Sequence, residues 1–221
     1  MSADSARLIL QDGTPLVLFN AWNWPQDLAV GAVNPRFAQA CRDAVHHLYE
    51  RSCRAIYYVG STQTRATGEE RNRGYREGIA ELQGLVGEGE FMTDQISISE
   101  VVKLLAERHQ DDGPIGIVAF DDSIAFQFLS RLQELGYRAP QHFKIVGCNN
   151  EYLAKECFPA LTTIGVPYEL QARLAFRMLL QHMDPSKGLE QEYIEHFSFP
   201  LPKEQRSIDI PLQLIERLST Q

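Results

Sequence analysis

Apolar runs of strand length recur along this chain, and each stops at small or polar residues. They are PLVLF at 15–19, ending at Asn20; RAIYYV at 54–59, ending at Gly60-Ser61; PIGIVAF at 114–120, ending at Asp121-Asp122; and KIVG at 144–147, running on to Asn149-Asn150. Continuous apolar runs of this length suit parallel strands covered on both faces. The stretches between them have helical spacing, so strands and helices alternate. That alternation selects an α/β fold with parallel sheets and right-handed crossovers. In open sheets of this kind, ligands sit beyond the carboxyl ends of the strands. The four polar strand ends are therefore expected to face one cleft that holds a small molecule.

The intervening segments supply the detail. Residues 1–6 are small and polar and are expected to fray, and 6–11 read as the last turn of a helix stopped by Gly13. The loop after Asn20 carries Trp22 and Trp24 beside two amides; these either stack on a ring-shaped ligand or pack against the body of the protein. A helix is predicted to start at Asn34-Pro35, with Phe37, Cys41, Ala44, Val45 and Leu48 on one face. Thr67 and Glu70 have capping-box spacing, which places Arg71 in the first turn of the next helix. A cation there opposes the helix dipole, a hint that Arg71 serves another purpose. Residues 90–93 read as a short strand, and Ser97 with Glu100 as a second capping box. Asp122 is the expected N-cap of the following helix, leaving Asp121 to face the cleft, and Gly136 its stop. Residues 168–182 read as a helix, 184–188 as a loop, 192–199 as a strand, and 207–221 as a tail with a short amphipathic helix.

Composition narrows the function classes. The 221 residues carry a net charge of −8, which argues against this segment itself gripping a nucleic-acid backbone. The four cysteines, Cys41, Cys53, Cys148 and Cys157, match no zinc or disulfide spacing and read as free thiols in a reducing compartment. No apolar run approaches the ~18 residues of a membrane span, and the start lacks the pattern of a secretory signal. A cytoplasmic protein without membrane contact is expected. Neither dinucleotide nor P-loop glycine patterns occur, nor a nucleophile elbow, nor a tight His/carboxylate cluster; His46 and His47 read as surface or packing residues. No cofactor and no metal are expected. Asp121-Asp122 is the one candidate acid/base pair, and adjacent residues usually point apart, so a non-enzyme is expected.

Residues 14–207 resemble the effector-binding region of the LacI/GalR transcriptional regulators. TPLVLFN resembles the family's strand running into its first binding loop, and Val33-Asn34 the start of the helix after it. RAIYYVG resembles the next strand, and ERNRGYREGI the helix with its R-x-x-G-[YF] signature. IVAFDDSIAFQFLSRLQELG resembles a strand-turn-helix usually written with Asn-Asp. FKIVGCNNEYLAKECFPALTTIGVP resembles V-V-G-[FY]-D-D followed by P-x-L-T-T, and Arg206-Ser207 the closing Arg-x-Ser.

The resemblance implies a type I periplasmic-binding-protein fold: two parallel-sheet α/β subdomains clamping a small molecule, with three chain crossings. Residues 7–33 plus 163–206 would form a partial N-terminal subdomain with an apolar sheet edge, 35–162 the C-terminal subdomain, and 207–221 a tail. It implies ligand contacts at Asn20, Arg71, Asp121 and Asn149; the residue reading adds Trp22. Arg71 matches the family's usual residue. Asn20 and Asn149 stand where sugar-binding members often carry Asp, and Asp121 where Asn is usual. The expected function is a sugar-like or nucleoside-like effector-binding core, controlling DNA binding allosterically in a full-length, homodimeric regulator. DNA would be bound only through an N-terminal domain missing from this sequence, whether because it is a fragment, a misplaced start or a degenerate gene. The rival expectations are a solute-binding protein of a transporter and a truncated non-functional fragment.

Overall fold

The computed structural model describes residues 3–22, 29, 31–61, 65–109, 113–183 and 207–221. Trp24, the 184–188 loop, the 192–199 strand and Arg206 lie outside the described residues. The chain divides into two compact units, Met1–Pro35 with Pro167–Pro211, and Arg36–Val166 with Leu212–Gln221.

The larger unit is built on a six-stranded sheet in the order β4-β3-β5-β6-β7-β9. Its strands are β3 (Ala55–Gly60), β4 (Gly87–Met92), β5 (Ile115–Ala119), β6 (Phe143–Asn149), β7 (Thr162–Gly165) and β9 (Gln213–Ile215). All pairings are parallel except β7 with β9. Every residue of β5, and Ile56–Gly60 of β3, is buried. Successive side chains of a strand point to opposite faces, so both faces of the central sheet are covered, as the unbroken apolar runs require. The edge strand β4 carries Glu88 and Glu90, and charge on an edge discourages further strand pairing.

The helices of this unit are α2 (Phe37–Glu50), α3 (Arg65–Ala80), α4 (Ile98–Arg108), α5 (Asp122–Glu134) and the short α6 (Leu153–Glu156). Ser97 and Glu100 form the expected capping box on α4. Gly136 ends α5 at φ +81°, with the Tyr137 amide donating back to the Leu132 carbonyl.

The smaller unit holds a three-stranded parallel sheet in the order β1-β2-β8, from β1 (Val17–Phe19), β2 (Gly31–Pro35) and β8 (Ser207–Ile210). Its helices are α1 (Ala3–Gln11) and α7 (Tyr168–Met183). Val33, Leu174, Ala175, Met178 and Ile210 form its buried core, with Val17, Leu170 and Ile208 packed against them.

Several expectations are corrected. Residues 3–6 are helical. Asn34-Pro35 ends strand β2 and does not open a helix, because a residue before proline is pushed toward extended backbone; α2 begins at Phe37, after Arg36. Thr67 lies inside α3, which starts at Arg65, so Thr67 and Glu70 are not a capping box. The first strand is not covered on both faces: Phe19 is 48% exposed. The 163–166 stretch joins the larger unit's sheet. Residues 207–221 hold no helix but two strands, followed by buried Ser219 and Thr220, since short apolar runs do not distinguish helix from strand by period. No described helix is long and apolar enough to cross a membrane.

Candidate functional site

Arg71 is the centre of the polar groups at the carboxyl edge of the larger sheet. It lies in the second turn of α3 and is 4% exposed. Its guanidinium donates to the backbone carbonyl of Phe120 at 2.5 Å and to Asn149 Oδ1 at 3.1 Å. The Phe37 ring lies 4.2 Å from the guanidinium carbon and the Phe120 ring 4.3 Å. Such contacts contribute roughly 0.5–2 kcal/mol each, more as water is removed. No carboxylate among the described residues pairs with Arg71, and its Nε–H has no partner there. A buried cation held by dipoles and ring faces, without a counter-anion, is costly unless something else supplies acceptors.

Asn149 presents its oxygen to Arg71 from the last position of β6. It sits at φ +108° and Asn150 at φ +54°, left-handed backbone that asparagine tolerates better than most residues. Three side chains fix this turn. The Asn150 amide donates to Thr163 Oγ1 at 3.3 Å, the Glu151 amide to Asp122 Oδ2 at 2.7 Å, and Arg217 Nη2 to Asn150 Oδ1 at 2.7 Å.

The two aspartates after β5 exchange their expected roles. Asp121 is the N-cap of α5: its backbone is extended and Oδ1 accepts from the Ile124 amide at 2.8 Å. Asp122 is the fully buried one, accepting from Thr163 Oγ1 at 2.6 Å as well as from Glu151. With the cap one residue earlier than expected, Asp122 turns inward beneath β6. A β-carbon on Gly147 would stand 2.2 Å from its Oδ1, so only glycine fits there. Burial pushes the Asp122 carboxyl up to about 6, against the two hydrogen bonds that pull it down. One aspartate caps a helix and the other braces a turn, an arrangement that gives no acid/base pair.

In the smaller unit, Asn20 follows β1 at φ +56°. Its Oδ1 accepts from Gln171 Nε2 at 3.4 Å, and Gln171 also donates to the Val33 carbonyl. The next amide, of Ala21, donates to Asn34 Oδ1 at 2.8 Å, and Asn34 Nδ2 donates to Ser207 Oγ. Trp22 follows and is half-buried. The structure thus joins Arg71 to Asn149 directly and sets Asp121 one residue beyond the carbonyl that Arg71 holds; Asn20 and Trp22 belong to the other unit.

Phe37, Phe120, Asn150, Thr163 and Arg217 were not singled out from the sequence as site residues. Phe37 stood in an amphipathic stripe that reads as core. Arg217 had no local signal at all, since its partners lie far away in the chain. The cysteines are free, with Cys41, Cys53 and Cys148 buried. Among the described residues no three His, Cys, Asp or Glu side chains group as a metal site would need.

The sequence profile of the periplasmic binding protein-like domain matches residues 45–220. The chain is similar to the HTH-type transcriptional repressor PurR of Vibrio cholerae, with 30% identity over 145 residues, covering 63% of this chain and 42% of that protein. It therefore spans less than half the length of that curated relative. Among solved structures it is similar to a LacI family transcriptional regulator from Enterococcus faecium with bound ribose, at a TM-score of 0.75 and 17% identity, over 99% of this chain and 75% of that one. A LacI family sugar-binding regulator from Escherichia coli, complexed with phosphate, gives a TM-score of 0.71 at 21% identity, over 99% and 73%. At these identities the structural likeness is one of fold.

Proposed function

This chain belongs to the periplasmic binding protein-like domain family, and we propose that it is the small-molecule effector-binding core of a LacI/GalR-type transcriptional regulator. One observation carries the reading: Arg71, buried at the carboxyl edge of the sheet, has no carboxylate partner among the described residues. A ligand that brings acceptor oxygens or ring nitrogens to that edge satisfies the Nε–H and offsets the cost of the buried charge.

The donor pattern refines the ligand. Asn149 gives its oxygen to Arg71, so its NH₂ is the end that meets a ligand. Asp121 accepts only. On the larger unit, donors therefore outnumber acceptors, which favours a sugar-like or nucleoside-like molecule rich in acceptors and carrying at least one donor for Asp121. In the smaller unit we assign ligand contacts to Asn20, whose Oδ1 is taken by Gln171, and to the Trp22 ring. The similar structures support this class: the E. faecium regulator holds bound ribose, and the E. coli one is a sugar-binding regulator.

In a longer protein with a DNA-binding part, the ligand acts by favouring one of two conformations that differ in affinity for DNA. Such a regulator works in the cytoplasm, and as a homodimer. The test is calorimetric titration with pentoses, hexoses, nucleosides and nucleobases. Arg71→Ala and Asp121→Ala each weaken the binding ligand at least tenfold, the size expected for losing a hydrogen bond to a charged group. Unchanged affinity in both variants removes the assignment.

A further inference from the structure

The geometry points to Arg217 as a positioning residue of the ligand site, acting on Arg71 through the Asn149-Asn150 turn; the inference rests on the reading of that site given above. Residues 212–221 belong to the larger unit although the chain enters them from the smaller one. Strand β9 pairs with β7, and the residues after it are sewn into the sheet. The Arg217 amide donates to Thr162 Oγ1, and Ser219 Oγ donates to the Ile145 carbonyl and accepts from the Thr162 amide. The Thr220 hydroxyl lies 2.8 Å from Thr162 Oγ1 and 2.9 Å from His47 Nε2. Those contacts go to strands and to α2, and they explain why Ser219 and Thr220 are fully buried.

The Arg217 side chain does something different. Its Nη1 donates to the Leu161 carbonyl at 2.7 Å, which anchors one arm of the guanidinium on the residue just before β7. Its Nη2 then reaches Asn150 Oδ1, also at 2.7 Å. Asn150 is the residue whose left-handed backbone follows Asn149, and Asn149 Oδ1 is the acceptor for Arg71 Nη2. A chain of contacts therefore runs from Arg217 through Asn150 and Asn149 to Arg71. Two planar guanidinium forks hold the turn from either end, and each uses a second hydrogen bond to a backbone carbonyl as its anchor. A lysine cannot reproduce either fork, because it offers a point charge in place of two donors in fixed geometry. Asn149 and Asn150 alone do not hold this turn, since positive φ at two successive non-glycine residues is unfavourable.

The test uses the whole chain without ligand and reads the side-chain amide signals of Asn149 and the guanidinium signals of Arg71 by nitrogen-15 NMR. Arg217→Lys is expected to shift both sets. Asn150→Gly, which removes the acceptor while tolerating positive φ, is expected to give the same shifts, and the double variant no more than either single one. Ser219→Ala removes sheet contacts of the same segment and is expected to lower the melting temperature while leaving those signals in place. If Arg217→Lys does not fold, Asn150→Gly carries the test. The inference is overturned if the signals stay put in whichever of the two variants folds, or if Ser219→Ala moves them equally. Because no ligand enters the measurement, its failure is distinct from failure of the site itself, which shows as unchanged affinity in Arg71→Ala.

Discussion

Gly74 lies against the backbone of Ala38, so close that a β-carbon at Gly74 would stand 2.0 Å from the Ala38 carbonyl oxygen. This close approach of α3 to α2 sets the geometry around Arg71. Phe37 precedes Ala38 on α2, and Arg71 stands three residues before Gly74 on α3. With no side chain at Gly74 the two helices come near enough for the Phe37 ring to lie 4.2 Å from the guanidinium carbon. The R-x-x-G spacing thus has a physical reason: the arginine and the glycine that admits its ring partner share one face of a helix.

Gly74→Ala is therefore expected to destabilise the larger unit. The clash is with backbone, which cannot rotate away, and overpacking of this kind typically costs about 1–3 kcal/mol. Urea unfolding followed by circular dichroism is expected to show a lower midpoint. An unchanged midpoint would mean that α2 and α3 are not held as closely as described.

Much of this was legible in the sequence, and the rest was hidden for identifiable reasons. The central strands are legible because strands covered on both faces must be apolar throughout. Arg71 draws notice as a first-turn cation, but α3 starts at Arg65 and sets it in the second turn, where the dipole argument no longer applies. Ser97 and Glu100 were readable because a capping box is local. The smaller unit was harder to read. Residues 31–35 gave too short and mixed a run to mark strand β2, and its Asn-Pro pair imitated a helix start. The order of Asp121 and Asp122 could not be read, because either can cap, and the choice depends on what Thr163 and the Glu151 amide offer from far along the chain. Arg217 was invisible for the same reason: a long-range hydrogen bond leaves no local pattern.

Asp121 has two roles that substitution can separate. Asp121→Ala removes both the α5 cap and the carboxylate, and loss of the cap alone costs about 1 kcal/mol. Asp121→Ser keeps a cap and removes the charge. Thermal unfolding is expected to show a loss in Asp121→Ala that Asp121→Ser largely restores, while ligand affinity falls in both. If stability drops equally in the two variants, the side chain is not acting as the cap.

Asp122 makes stability depend on pH in a definable window. Its carboxyl is pushed up from 3.8 to about 6, chiefly by burial. The folded state therefore disfavours its ionisation relative to the unfolded chain. The contribution is fully present below pH about 4 and is lost as pH rises to about 6. Asp122→Asn lacks this loss and can still accept from Glu151 while donating to Thr163. The stability of the variant relative to the parent is expected to rise between pH 4 and 6 and then level off. A difference that stays constant over that range would show that Asp122 ionises as freely as in water.

The Ser97 capping box of α4 offers a control far from Arg71 in sequence and role. Ser97→Ala is expected to cost about 1 kcal/mol in chemical denaturation with no change in ligand affinity. A tenfold loss of affinity would mean that α4 communicates with the ligand site.

The central claim is that Arg71, buried and without an anionic partner among the described residues, binds the acceptor groups of a small molecule. Isothermal titration of the parent and of Arg71→Ala with the same panel of pentoses, hexoses, nucleosides and nucleobases tests it most directly. The account predicts one-to-one binding of at least one of them to the parent, with affinity at least tenfold lower in Arg71→Ala although that variant remains folded by circular dichroism. Equal affinity in parent and variant would contradict it.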